Sequence, residues 1–256
     1  MRKVAMITGS TSGIGLAIAK HFASKGYCLA FNGLESDGQE IASEVASGCG
    51  VEYDFSPANM LDPDALRQMV VEVIARWGRV DVLVNNAGIQ YVAPIVDFPD
   101  DKWNELIGIN LTAPFLLIKA VWPVMKKQGF GRIINIASAH GLVASEFKSA
   151  YVSAKHGLIG LTKTAALEGA PYGITANAIC PGYVKTPLVD CQIQDLADEQ
   201  GSGPEQVAKD HFLRKHAIKE FVSAESIAAL CYFLASDEGA MTTGAAIPID
   251  AGWTAQ

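Results

Sequence analysis

Residues 4–15 read VAMITGSTSGIG, an apolar run that passes directly into Thr8-Gly9-Ser10-Thr11-Ser12-Gly13-Ile14-Gly15. The residues that follow, about 13–25, carry apolar side chains at helical spacing. A strand, a glycine-rich turn and a helix in that order form the opening half of a βαβ unit. Gly9 permits a tight turn, Gly13 lets backbone approach a pyrophosphate, and Gly15 lets the helix pack closely on the strand. The helix amino terminus then offers unpaired N–H groups and partial positive charge to the phosphates. The stretch predicts a dinucleotide loop with Gly9, Thr11, Ser12, Gly13, Ile14 and Gly15 at the ligand.

Working outward, strand patterns fall near 3–8, 28–32, 51–54, 80–84, 131–136, 174–179 and 246–249. Helical patterns fill about 13–25, 36–47, 62–76, 101–127, 149–169 and 223–235. Strand and helix alternate, so the connections are right-handed crossovers and the sheet is parallel. The runs VAMIT, VDVLV and RIINIA are almost continuously apolar, as strands covered on both faces are. The expected fold is α/β: a single doubly wound, Rossmann-type domain over residues 1–256. The polar stretch at about 186–220, containing DLADEQGSGPEQ, interrupts the alternation and reads as a helical lid insertion.

The net charge of −7 argues against nucleic acid as a partner, because phosphate backbones need basic surface. It leaves room for a small anion, which responds to a few local charges. The cysteines number five and form no CxxC pair, so neither a disulfide framework nor a metal site is expected. No signal peptide or membrane-length apolar run is read from the sequence, and a cytoplasmic protein is expected.

The end of the second strand, Leu29-Ala30-Phe31-Asn32-Gly33-Leu34-Glu35, is where adenosine-ribose selection is made. No Lys or Arg occurs between Lys25 and Arg67 to clamp a 2′-phosphate, which favours NAD. Phe31 is placed at the cofactor. Gly33 stands where an acidic residue would take the 2′-hydroxyl, and Glu35 reads as a solvated loop residue.

Tyr151 and Lys155 lie one turn apart in SAYVSAKHGLIGLTKTAAL, a helical pattern that puts both on one face. An ammonium beside a phenol favours the phenolate and brings its pKa toward the neutral range. The fifth strand ends at Ser138, the fourth at Asn85-Asn86-Ala87-Gly88, and the sixth at Pro181-Gly182. Ligands of open α/β sheets bind at such carboxyl ends, so these segments converge on one crevice.

Together TGSTSGIG, NNAG, Asn110 in IGINLTAPF, Ser138, YVSAK and PGYVKT resemble the short-chain dehydrogenase/reductase family over essentially the whole chain. The resemblance implies Tyr151 as general acid/base, Lys155 as holder of the nicotinamide ribose, Ser138 as donor to the substrate oxygen, and Asn110 as support for a water relay. It implies cofactor contacts from Asn86, Ala87, Gly88, Pro181, Gly182, Val184 and Thr186. Asn59-Met60 replaces the family's Asp-hydrophobic pair at the adenine, and the Asn59 amide oxygen is expected to accept there instead.

Gln90, His140, Lys148 and Gln192 surround the reacting centre in this reading, and two amides, an imidazole and an ammonium suit a carboxylate. The same four types resemble those of family members acting on short 3-hydroxy acids. The implied activity is NAD-dependent oxidation of (R)-3-hydroxybutyrate to acetoacetate, with Trp253 as an apolar wall or an interface residue. Two alternatives stand beside it: reduction of a 3-oxoacyl thioester, and an inactive nucleotide-binding scaffold. The resemblance also implies a homotetramer built on the two long helices, through 113–124 and 158–167.

Overall fold

A computed structural model describes residues 2–255. Its sheet has seven parallel strands in the order β3-β2-β1-β4-β5-β6-β7. These are β1 Val4–Ile7, β2 Cys28–Asn32, β3 Tyr53–Ser56, β4 Val82–Asn85, β5 Gly131–Ile136, β6 Ile174–Pro181 and β7 Ala246–Ile249. The chain runs outward from β1 to β3, then returns to the other side of β1 through β4, so the strand order reverses between β1 and β4. A crevice opens at such a reversal, outside the strands' carboxyl ends.

The helices are α1 Gly13–Ser24, α2 Gly38–Cys49, α3 Pro63–Trp77, α4 Asp100–Ile107, α5 Ala113–Gln128, α6 Ser149–Gly169, α7 Pro187–Gln200, α8 Pro204–Val207 and α9 Ala224–Ala235. Their ends follow local chemistry. In α3 the Asp62 carboxylate accepts from the Asp64 and Ala65 N–H groups at 3.0 and 3.1 Å, Pro63 begins the helix, and Gly78 ends it in the left-handed region at φ 70°.

Alternation along each strand divides the core. Ala5, Ile7, Val82 and Val84 face α1 and α9, packing with Ile18, Phe22, Ile227 and Leu234. Val4, Met6 and Leu83 face α3 and α5, packing with Leu66, Val70, Leu117 and Val121. At about 25 cal/mol per Å² of apolar surface, burial on both faces is the main stabilising contribution. Beneath the amino ends of the strands, the buried Asp81 carboxylate accepts from Val4 N–H at 2.8 Å and pairs with Arg79 at 2.6 Å.

Two expectations change. The helix expected over 101–127 is α4 and α5 joined by a π-helical turn, Gly108–Thr112. That turn widens the helix at Asn110, whose Nδ2 donates to Ile89 O and Leu106 O at 3.0 Å each. The joined helix, Asp100–Gln128, is long and apolar enough to cross a membrane, which the sequence reading missed; it lies against α3, β5 and α6, with Leu106, Leu117, Val121 and Met125 buried. The polar insertion is ordered into α7, α8 and a π-turn, Ala208–Phe212, around a small cluster of Ile193, Ala197, Val207 and Phe212.

Candidate active site

Two cavities meet at the carboxyl ends of the strands. The nucleotide-side cavity is walled by Gly9, Ser12, Gly13, Ile14, Gly33, Glu35, Asn59, Met60, Asn86, Ala87 and Gly88. The catalytic cavity is walled by Gln90, Asn110, Ser138, His140, Tyr151, Lys155, Pro181, Gly182, Tyr183, Val184, Gln192 and Trp253. Ile14, Asn86, Gly88, Ile89 and Thr186 line both, so the two form one continuous cleft.

The nucleotide side is shaped by backbone. Gly9 takes φ 59°. A Cβ on Gly15 would collide with the Gly9 carbonyl, so Gly15 serves the approach of α1 to the loop and not the ligand directly. Asn86 secures the loop from the β4 side, its amide donating to Thr8 O and Gly9 O at 2.9 Å each. Asn32 secures it from β2, its oxygen accepting from Gly9 N–H at 3.2 Å and its amide donating to Ser56 O and Ala58 O. Thr11 is buried and donates its hydroxyl to Glu35.

Corrections follow on this side. Phe31 is 1% exposed and packs edge-on against Tyr53, so its ring belongs to the core and not to a cofactor site. Strand alternation sends it to the α1 face. Asn59 does line the cavity, but its side-chain oxygen accepts from Leu61 N–H at 2.9 Å. Glu35 is an exposed loop residue, as expected, but its carboxylate is held: besides Thr11 it faces the Ser12 hydroxyl at 3.4 Å.

In the catalytic cavity, α6 brings Tyr151 and Lys155 beneath the end of β5. Lys155 is buried and its Nζ donates to Ile136 O at 2.8 Å, while lying 5.5 Å from the Tyr151 ring centre. Burial pushes the Lys155 ammonium down to about 8. The phenol of Tyr151 is raised, first by burial, with the Ser138 hydroxyl beside it pulling the other way. The expected depression of the phenol by Lys155 is not what sets it: burial raises it, and the opposing influence is the Ser138 hydroxyl. Asn110 Oδ1 is buried without a partner among the described residues. A Cβ on Gly88 would lie 2.6 Å from Asn110 Oδ1 and 3.6 Å from Lys155 Nζ, so both polar atoms converge beside that glycine.

The other wall of this cavity is aromatic and polar. His140 is 3% exposed and its Nε2 has no partner among the described residues. Its ring meets Tyr151 and Trp253 edge-on at 6.0 and 4.9 Å. Burial, helped by Lys148 and Lys215, pushes its pKa down to about 3, so the imidazole is neutral. Trp253 stacks on Tyr183 at 5.4 Å, with 11° between the rings. Lys148 stands behind Tyr183 and not on the cavity wall, its Nζ 3.4 Å from the Tyr183 hydroxyl; burial and Lys215 lower its pKa to about 8.

Sequence reading missed two residues here. Tyr183 sits inside PGYVKT between two residues already assigned to the cofactor, a position that marked it as cleft-facing. His216 is fully buried, accepts from Tyr183 N–H through Nε2 at 3.2 Å and contacts Glu220 O through Nδ1 at 2.8 Å. A donor to that carbonyl, Nδ1 carries the proton and Nε2 is left as acceptor. Nothing local in RKHAIKE signalled this role.

A tyrosine, a lysine and a serine meeting at the end of a glycine-loop crevice, with an asparagine held by a π-turn behind them, define a nicotinamide-linked oxidoreductase. A family model described as enoyl-(acyl carrier protein) reductase matches residues 9–254, and the chain belongs to the short-chain dehydrogenase/reductase family. It is 50% identical to a D-beta-hydroxybutyrate dehydrogenase of Rhizobium meliloti, over the full length of both chains. It is 46% identical to a D-beta-hydroxybutyrate dehydrogenase of Cupriavidus necator, covering 99% of this chain and 98% of that one. Among solved structures it resembles levodione reductase, with a TM-score of 0.92, 33% identity and coverage of 99% and 98%.

Proposed function

We propose that this protein oxidises (R)-3-hydroxybutyrate to acetoacetate with NAD. The observation that carries the reading is the catalytic cavity itself. Tyr151, Ser138 and Lys155 line it together with Gln90, His140 and Gln192, and Lys148 stands behind Tyr183. Relatives carrying the name D-beta-hydroxybutyrate dehydrogenase support the substrate.

The residues fit a nicotinamide dinucleotide. Gly9 and Gly13, both at positive φ, bring bare backbone to the wall of the nucleotide-side cavity, and the orphaned Asn110 oxygen lines the catalytic cavity beside Lys155. Gly9, Ser12, Gly13 and Ile14 would hold the phosphates, and Asn86 through Gly88, Tyr151, Lys155, Pro181, Gly182, Val184 and Thr186 the nicotinamide half. When bound, a nicotinamide would supply the hydride acceptor for the carbinol carbon. NAD over NADP is supported by the absence of any Lys or Arg among the described residues of the nucleotide-side cavity.

Ser138 donates to the substrate hydroxyl oxygen and fixes it against Tyr151. Tyr151 takes the hydroxyl proton, and Asn110 with Lys155 provides the polar route by which that proton leaves. The neutral His140, through Nε2, and the amides of Gln90 and Gln192 donate to the carboxylate, and Lys148 supplies the charge. Trp253 and Tyr183 exclude water from the methyl end. The 186–220 segment, which contributes Gln192, acts as a lid. The exposed apolar flank of α5 and α6, with Phe115 46% and Leu167 79% exposed, supports the homotetramer.

The test is an NAD- and NADP-linked activity screen over short 3-hydroxy acids of both hands, with acetoacetyl-CoA and NADPH in a parallel arm. Turnover of the R acid with NAD supports the reading. Faster turnover of the thioester with NADPH overturns it.

A further inference from the structure

The turn that follows the polar insertion is tied to two distant parts of the chain. Val222 N–H donates to Tyr183 O at 2.9 Å, and Val184 forms a parallel bridge with Val222. Ala217 and Ile218 N–H donate to Ala251 O at 2.8 and 3.0 Å. Ala251 accepts both from φ 54°, a left-handed backbone that alanine seldom adopts. Within the turn, Lys219 Nζ donates to Leu213 O, Arg214 O and His216 O at 3.3, 2.9 and 2.5 Å. The segment is thereby fixed between the end of β6 and the carboxyl terminus, with His216 fully buried at its centre.

Both ring nitrogens of His216 are spent on backbone. Nδ1 donates to Glu220 O at 2.8 Å, inside its own turn, whereas Nε2 reaches across to accept Tyr183 N–H at 3.2 Å. Gly182 leaves room for that reach, since a Cβ there would lie 2.8 Å from His216 Nε2. The neighbouring backbone groups have other partners: Gly182 N–H donates to Ile249 O at 3.1 Å, and Tyr183 O takes Val222 N–H. What His216 adds is the hold on the Tyr183 N–H. The Tyr183 ring lines the catalytic cavity, stacks on Trp253 and lies 5.7 Å, centre to nitrogen, from Lys148 Nζ. His216 is not among the residues that line this cavity, so any effect it has on the substrate passes through Tyr183.

We infer that His216 is a positioning residue for the substrate: by accepting the Tyr183 N–H it sets the Tyr183 ring, and with it Trp253 and Lys148, at the carboxylate-binding end of the cavity. The inference rests on the hydroxy-acid reading above and deepens it. A buried amide stripped of its acceptor turns toward another partner, and the ring attached to it moves. The reacting end is fixed independently, with Lys155 held by Ile136 O and the glycine loop held by Asn86. Loss of the His216 contact therefore belongs in KM, not in kcat or in cofactor affinity.

The experiment compares His216→Gln with His216→Asn. The glutamine amide oxygen reaches the place of Nε2 and can accept Tyr183 N–H; the shorter asparagine amide reaches the place of Nδ1 and can only serve Glu220 O. Each variant keeps one of the two bonds, so a merely structural role predicts similar losses of Tm and similar kinetics. The expected result is a KM for (R)-3-hydroxybutyrate within about threefold of wild type in His216→Gln and raised about tenfold in His216→Asn. In both, kcat and the NADH Kd by fluorescence are expected within about threefold of wild type. A KM that rises equally in both variants, or by less than about threefold in His216→Asn, overturns the inference. Should His216→Asn fail to fold, hydrogen exchange at the Tyr183 amide decides: slow exchange in wild type and His216→Gln, with KM kept, supports it, and exchange as fast as an exposed amide overturns it. If wild type turns over another substrate and not 3-hydroxybutyrate, the substrate reading falls, and the split between the two variants in KM for that substrate still decides the role of His216.

Discussion

The two ends of the cleft are built from different materials. The nucleotide end is backbone and short polar staples, in which Asn32 and Asn86 tie the glycine loop to the ends of β2, β3 and β4. The substrate end is side chains drawn from four distant places: Gln90 after β4, His140 after β5, Gln192 on α7 and Trp253 at the carboxyl terminus. The contrast teaches where rigidity and where selectivity reside. A backbone cradle binds what every member of the family shares, whereas convergent side chains read a particular substrate.

Substitutions break this contrast in order of size. Tyr151→Phe removes the proposed proton acceptor at the boundary of the two ends; kcat is expected to fall by about 10²–10⁴-fold. NADH affinity by fluorescence should stay within about twofold, since one buried hydroxyl contributes little to cofactor binding. Loss of NADH binding in step with kcat would mean that Tyr151 serves chiefly to hold the nicotinamide half and not to move the proton. Gly15→Ala attacks the nucleotide end alone. Its Cβ would meet the Gly9 carbonyl, and thermal unfolding should register a loss of about 1–3 kcal/mol. A full-strength Tm would mean that α1 shifts freely.

Lys148→Ala acts at the substrate end alone. KM for 3-hydroxybutyrate is expected to rise about tenfold or more, against little change for a neutral secondary alcohol. The pH dependence sharpens the same point. Burial and Lys215 lower Lys148 to about 8, so raising pH through that value removes its charge, and KM for the carboxylate should climb. In Lys148→Ala that alkaline rise should vanish. Over the same range kcat for oxidation should increase, because the raised phenol of Tyr151 yields the ionised form only as pH rises. The smallest effect is expected from Tyr183→Phe, which leaves the stack on Trp253 and removes one long contact to Lys148; KM should rise about two- to fivefold.

Much of the nucleotide end was legible because its chemistry is local in the chain. Strand, glycines and helix follow one another in residues 4–15, and their spacing alone specifies the turn. The limits are instructive. Phe31 and Asn32 are neighbours, yet one points into the α1 face of the core and the other staples the loop, a distinction set by strand phase. The break at Asn110 was invisible in an unbroken helical pattern, because a π-turn adds one residue without disturbing apolar spacing enough to register. His216 gave no signal, since a buried imidazole in a polar segment is defined by what covers it.

The sequence by itself determined the strand–helix alternation, the parallel sheet, the cofactor loop and the Tyr151/Lys155 pair, because each depends on periodicity or spacing within a few residues. Only the tertiary structure decided where the carboxylate of Glu35 goes, that Lys155 is directed at Ile136, and that Tyr183, Trp253, His140 and His216 pack into one wall. Those outcomes depend on distances between segments far apart in the chain and on how much water the folded surroundings remove.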